Sequence, residues 1–193
     1  MCVLRFQSWV GLLRSTFPNI SGPCVKALSA SRRETMLVLA GIVVLHITTI
    51  ILLLVATIDN AWWVTDKLTT DLWGGWEMVG SAWHYKQLIG YPEELLQTVQ
   101  ATSVLACIFA ILALFVFVAQ LFTLAKGQRF TFTGVLQMIS CLSIMIAASI
   151  YTAKFHTEEN DGGYGHCFVL AWISFVLTFI LAVTYLILRK KSD

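Results

Sequence analysis

Four stretches of this chain, residues 36–58, 99–125, 132–153 and 164–188, contain no Asp, Glu, Lys or Arg. Each is as long as the roughly 17–25 apolar residues a helix needs to cross the hydrocarbon of a bilayer. Charged residues make up 12% of the chain, against roughly 25% in soluble domains, so too little polar sequence remains to cover four apolar helices in water. In lipid every backbone N–H and C=O must be satisfied within the protein, which restricts spanning segments to helices or closed barrels. The expected class is an all-α membrane protein with four transmembrane helices, and the lipid bilayer is its first partner.

Charge in the connections sets the expected orientation, because short cytosolic loops carry the excess of Lys and Arg. Lys126 and Arg129 lie between the second and third segments, and Arg189, Lys190 and Lys191 follow the fourth. The 59–98 and 154–163 connections hold only Lys67, Lys86 and Lys154 against nine acids. Both termini are therefore expected in the cytosol, with a large first and a small second outside loop.

Residues 1–35 are basic, rich in Ser and almost free of acids, and a strong apolar run begins at Met36, which could itself start translation. A transit peptide fits loosely; a disordered or artefactual extension fits better, leaving 36–191 as the four-span domain. The sequon at Asn19–Ser21 would face the cytosol and stay bare, and Asn60 and Asn160 are not in sequons, so no glycan is expected. Of the cysteines, Cys2 and Cys24 are in the tail, Cys107 and Cys141 inside apolar runs, and Cys167 near the outer end of the fourth. No CxxC occurs, which argues against thiol oxidoreductase chemistry; Cys107 and Cys141 read as small buried hydrophobes.

Ionisable residues within spans usually mark function. His46, in "VVLHITT", is the one deep inside a span, and beside two threonines it reads as a packing and hydrogen-bonding residue rather than a proton relay. Gln120 and Gln137 lie near the inner ends of the second and third spans, where interhelical hydrogen bonds act as glue. Gly134, Ala147, Ala148 and Ser149 are small enough to let helices approach. His156, Glu158, Glu159, Asp161, His166 and Cys167 cluster around the second outside loop. Their spacing matches no standard zinc pattern, so a solvated acidic loop is expected and no metal. No nucleophilic triad, phosphate loop or pair of intramembrane carboxylates is present, which argues against an enzyme, and nothing points to nucleic acid. Lys190 and Lys191 stand third and fourth from the end, a dilysine-type retrieval pattern; a basic cluster facing anionic lipid is the better reading.

The 59–98 loop is aromatic: Trp62, Trp63, Trp73, Trp76, Trp83, Tyr85 and Tyr91 fall within it. "AWWVTDKLTTDLW" places β-branched and aromatic residues near period two, which predicts short strands. Trp62 and Trp63 follow the first span directly, so an interfacial aromatic belt and a role in the loop fold stay equally open for them.

"TIDNAWWV", then "DLW" with Trp73 eleven positions after Trp62, then "LQTVQAT", "VAQLFTLAKGQRF", "MIAASIYT", "GYGHCFVLAWISF" and "YLILRKK" occur in this order. Together they resemble the peripheral myelin protein 22 and epithelial membrane protein family of claudin-like tetraspans, over residues 36–191. The resemblance implies a left-handed four-helix bundle with a small extracellular antiparallel β-sheet in the first loop. It also implies a non-enzymatic protein of the plasma membrane without cofactors, involved in membrane-domain composition and the surface display of adhesion receptors, and through them in adhesion, proliferation and blebbing. The implied partners are membrane proteins of the integrin, caveolin or channel class, with a homo-oligomer also open. A claudin-like junction or barrier component and an auxiliary channel subunit are the alternatives, and retention in the endoplasmic reticulum or Golgi is the alternative location.

The loop departs from the family pattern, which runs Trp, then Leu-Trp, then two cysteines joined by a disulfide with a glycosylation site beside them. Trp62, Leu72 and Trp73 match the first part; residues 74–95 contain neither cysteine nor sequon, and the match resumes at Leu96. Unrelated sequence between matched flanks suggests an alternative exon, a translated intron edge or a diverged paralogue. A lost disulfide costs about 2–5 kcal/mol in a small domain, so a looser sheet is expected. Trp73 is expected to be structural, and Trp76, Trp83 and Tyr85 exposed.

Overall fold

The computed structural model describes residues 23–59, 61–88, 92–123, 130–156 and 161–192. The chain divides into two compact units, Met1–Ile42 and Val43–Asp193. In the first unit the described residues are the N-terminal part of helix α1, Pro23–Ile58, so this helix begins ahead of Met36; residues 1–22 lie outside the described part. The second unit holds the rest of α1 and all other elements.

Helices α2 (Glu93–Thr123), α3 (Thr131–Lys154) and α4 (His166–Ser192) complete the helical set. Among the described residues four helices are long and apolar enough to cross a membrane: Met36–Ile58, Glu93–Gln120, Thr131–Lys154 and His166–Leu188. α2 starts before its apolar run because Pro92 opens it, the Pro92 carbonyl accepting the N–H groups of Leu95 and Leu96. Glu93 and Glu94 then sit in the first turn, where the helix dipole favours negative charge.

Within the second unit the helices meet through small residues. Ala106, Ala110, Ala113, Ala147, Ala148, Ala171 and Ala182 are fully buried. Gly134 is buried with Tyr185 packed against it. Ser149, expected with them to let helices approach, points outward, because three consecutive helical positions at 100° apart cannot all face one neighbour. The outer surface is apolar, with Phe115, Phe132, Val169 and Phe179 exposed, as a helix surface solvated by lipid requires.

Five short antiparallel strands form one sheet in the order β4-β3-β2-β1-β5. β1 (Trp63–Val64), β2 (Leu68–Thr70), β3 (Gly75–Val79) and β4 (Ala82–Lys86) come from the first loop. β5 (Gly163–Tyr164) comes from the second, pairing Tyr164 with Trp63 and Gly163 with Val64. The sheet expected in the first loop alone is thus completed by the other loop. Thr65 makes the first turn, its hydroxyl accepting the N–H groups of Lys67 and Leu68. The β3–β4 hairpin turns at Gly80 with φ of 68°, and Gly is the residue that tolerates positive φ at the first position of a two-residue hairpin turn.

Candidate interaction surface and buried polar sites

The Trp62 side chain is fully buried, and its indole N–H donates to the Ala56 carbonyl at 2.6 Å. Its ring packs on Tyr151 and Phe168 at centroid distances of 4.8 and 5.9 Å. Trp63 is buried too, stacked on His156 at 4.4 Å and edge-on to Tyr164 at 5.3 Å. The belt reading of this pair is therefore replaced: both indoles are packed inside the protein. Two adjacent strand-edge residues point to opposite sides, and here one side is the helices and the other the second loop.

Leu72 is fully buried, and its carbonyl accepts from the Gln100 amide at 2.6 Å. Trp73 is 47% exposed, yet its indole N–H donates to the Thr57 carbonyl at 2.8 Å. Asp71 closes the β2–β3 turn, its carboxylate accepting the backbone N–H groups of Trp73 and Gly74. Burial pushes the Asp71 carboxyl above its ordinary range, the two N–H donors oppose this, and the nearby Asp59 charge adds to it. Gly165 N–H donates to the Trp62 carbonyl at 2.9 Å and Cys167 N–H to the Ala61 carbonyl at 3.0 Å. A side chain at Gly165 would meet the Ala61 carbonyl oxygen at 2.1 Å, so only Gly permits this approach. The sheet is thereby fastened to the ends of α1, α2 and α4.

Within the cysteine-free segment 74–95, β3 and β4 form a regular hairpin. Its register pairs Trp76 with Tyr85 and Met78 with Trp83, and Glu77 with His84. Directly opposed and alternate residues share a face, so Trp76, Met78, Trp83 and Tyr85 line one side, all exposed. Glu77, His84 and Lys86 line the other, with a Lys86–Glu77 ion pair of 2.9 Å. Trp76 and Tyr85 meet edge-on at 5.8 Å. This is an amphipathic ribbon with its aromatic side bare.

Between the helices, His46 Nε2 lies 3.0 Å from the Ala110 carbonyl and Nδ1 lies 2.9 Å from the Tyr185 hydroxyl. A carbonyl can only accept, so Nε2 carries the hydrogen; in the neutral ring Nδ1 then accepts from Tyr185. Gln120 accepts a hydrogen bond from the Thr133 hydroxyl at 2.8 Å. Gln137 is fully buried, and neither amide atom has a partner among the described residues. The side chains of Lys190 and Lys191 lie outside the described part, as do Glu158 and Glu159. Of the second-loop cluster, His156 is taken up by Trp63, Asp161 is exposed, and His166 and Cys167 meet Asp59 instead. Tyr185, Gln100 and Asp59 are the partners the sequence left unnamed; nothing but three-dimensional proximity marks them.

An apolar four-helix unit whose two loops on one side build a single antiparallel sheet defines a four-span membrane protein of claudin-like architecture. Residues 35–185 match the PMP-22/EMP/MP20/Claudin family, and the chain belongs to it. It is 42% identical over 169 residues to epithelial membrane protein 2 of Homo sapiens, covering 81% of this chain and 99% of that protein. Identity to the Danio rerio epithelial membrane protein 2 is 40% over 161 residues, with the same coverage of both. Human epithelial membrane protein 1 is 41% identical over 159 residues, again with 81% and 99% covered.

Proposed function

We propose that this protein is a non-enzymatic organiser of plasma-membrane domains. It gathers adhesion receptors and membrane-domain proteins of the integrin and caveolin class through its lipid-facing helices and its loop sheet, and so influences adhesion, proliferation and blebbing. Both termini lie in the cytosol on this reading, and the sheet faces outward. The observation that carries it is the hairpin's bare aromatic side, Trp76, Met78, Trp83 and Tyr85, held on a sheet fastened to the helices. Interface cores are enriched in Trp, Tyr and Met and depleted in charge, which is the composition of this side and not of its reverse. The test is co-purification from epithelial cells of an integrin with tagged protein, using Trp76→Ser/Trp83→Ser/Tyr85→Ser. A severalfold loss of recovered receptor at unchanged surface level supports the reading; unchanged recovery refutes it.

The free edge of β4, whose residues are all exposed, favours a second reading as a junction component in which sheets of facing copies pair edge to edge. Cell–cell strands formed by the intact chain and lost on deleting residues 74–95 would decide for it.

A further inference from the structure

The side chains of Asp59, His166 and Cys167 bring three donor atoms within 4.8 Å of one another. His166 Nε2 is 2.9 Å from Asp59 Oδ2. Tetrahedral zinc with two bonds near 2.0 Å and one thiolate bond near 2.3 Å separates its ligand atoms by about 3.3–3.5 Å. The imidazole and carboxylate are thus a few tenths of an ångström from this spacing, while the buried Cys167 thiol, which faces the Val55 carbonyl at 3.9 Å, must close by at most about 1.3 Å. We propose that Asp59, His166 and Cys167 form a divalent transition-metal site, suited to zinc, that joins the end of α1 to the start of α4.

The backbone that carries the three donors is held independently of any ion. Asp59 N–H continues the α1 hydrogen bonding to Val55 at 3.0 Å, and the Gly165 and Cys167 N–H groups are tied to Trp62 and Ala61. Such fixed backbone holds ligands in place before the metal arrives. The donor set of one thiolate, one imidazole and one carboxylate selects zinc over magnesium and calcium, which prefer oxygen alone. A carboxylate and a thiolate neutralise the ion's two charges, and metal binding displaces the thiol proton. The Asp59 and His166 side chains are 48% and 62% exposed, giving solvent access and a fourth position for water, as in sites with three protein ligands. An exposed His–Asp ion pair alone adds little stability and needs no thiol beside it.

The experiment uses the full chain in detergent micelles, stripped of metal and titrated with Co²⁺ and then Zn²⁺. The expected result is a thiolate-to-cobalt charge-transfer absorption with four-coordinate visible bands, displaced by Zn²⁺ and not by Mg²⁺. Cys167→Ser removes the charge-transfer band, whereas serine at Cys2, Cys24, Cys107 or Cys141, and alanine at His156, leave it in place. His166→Ala and Asp59→Asn alter exposed side chains, and each weakens Zn²⁺ binding by about tenfold or more; these variants decide the matter if Cys167→Ser does not fold. Absence of the band, its survival in Cys167→Ser, or Zn²⁺ affinity unmoved by His166→Ala overturns the proposal.

Discussion

Trp62 and Trp73 belong to one sequence motif, yet the structure gives them unequal work, and Trp62→Ala tests that difference. Trp62 is wholly enclosed by Tyr151 and Phe168, with its N–H on the Ala56 carbonyl. Removing a buried Trp or Phe side chain costs about 3–5 kcal/mol, counting lost transfer energy and the cavity left behind. Near the middle of that range, about 4 kcal/mol, the unfolding equilibrium shifts by roughly a thousandfold. Trp62→Phe keeps part of the ring packing but loses the hydrogen bond and the indole's second ring, about 2–3 kcal/mol. Trp73 is half exposed and has one hydrogen bond to Thr57, so Trp73→Ala costs less, about 2–3 kcal/mol. The assay is denaturant unfolding in mixed micelles, read by pulse alkylation of the buried thiols of Cys107, Cys141 and Cys167 in a chain with Cys2 and Cys24 replaced by Ser. Mass spectrometry counts the labelled thiols at each denaturant concentration. Equal costs for the two alanine variants, or a Trp62→Ala cost below about 1 kcal/mol, would refute the assignment of Trp62 to the core.

For the His46–Tyr185 hydrogen bond, a double-mutant cycle with His46→Phe and Tyr185→Phe gives a coupling of about 0.6 kcal/mol, at most about 1.7; no coupling would mean that the pair is merely adjacent. Gln137 has no partner for its amide among the described residues, so Gln137→Met leaves stability unchanged or raises it by up to about 1–3 kcal/mol. A loss of that size in the same unfolding assay would show that the amide is satisfied. Burial raises the Asp71 pKa in the fold. Its contribution is then full below the unfolded value of about 3.9 and lost as pH rises through the folded value. The stability of the parent chain relative to Asp71→Asn should therefore grow as pH falls from neutral toward 4; a flat or reversed difference contradicts the burial argument.

The helices were legible because charge-free runs leave a chain no alternative in lipid, and β1 and β2 because alternation near Trp62 marks strands. What stayed hidden depends on pairs far apart in sequence. Whether Trp62 and Trp63 face lipid or protein turns on Tyr151, Phe168 and His156, none of which local pattern connects to them. β5 is two residues long, too short to show any alternation, and exists because β1 offers it an edge. His46 was readable as a hydrogen-bonding residue, but its partner Tyr185 lies 139 positions away. Asp59 and His166 are 107 positions apart, so the spacing within either loop carries no trace of their contact.

The cysteine-free hairpin of β3 and β4 shows how sheet geometry can order a loop without a covalent tie. A disulfide acts chiefly by restricting the unfolded loop; a hairpin restricts the folded one by register. Residues 75–79 and 82–86 pair at all five positions, and Gly75 also pairs with Thr70 of β2, so the ribbon extends a sheet already anchored through Trp62, Leu72 and Asp71. Such an arrangement fixes which residues share a face without fixing how firmly the far end is held. Its aromatic side can then adapt to a partner while its base, next to Gly74 and Asp71, keeps the same attachment to the helices.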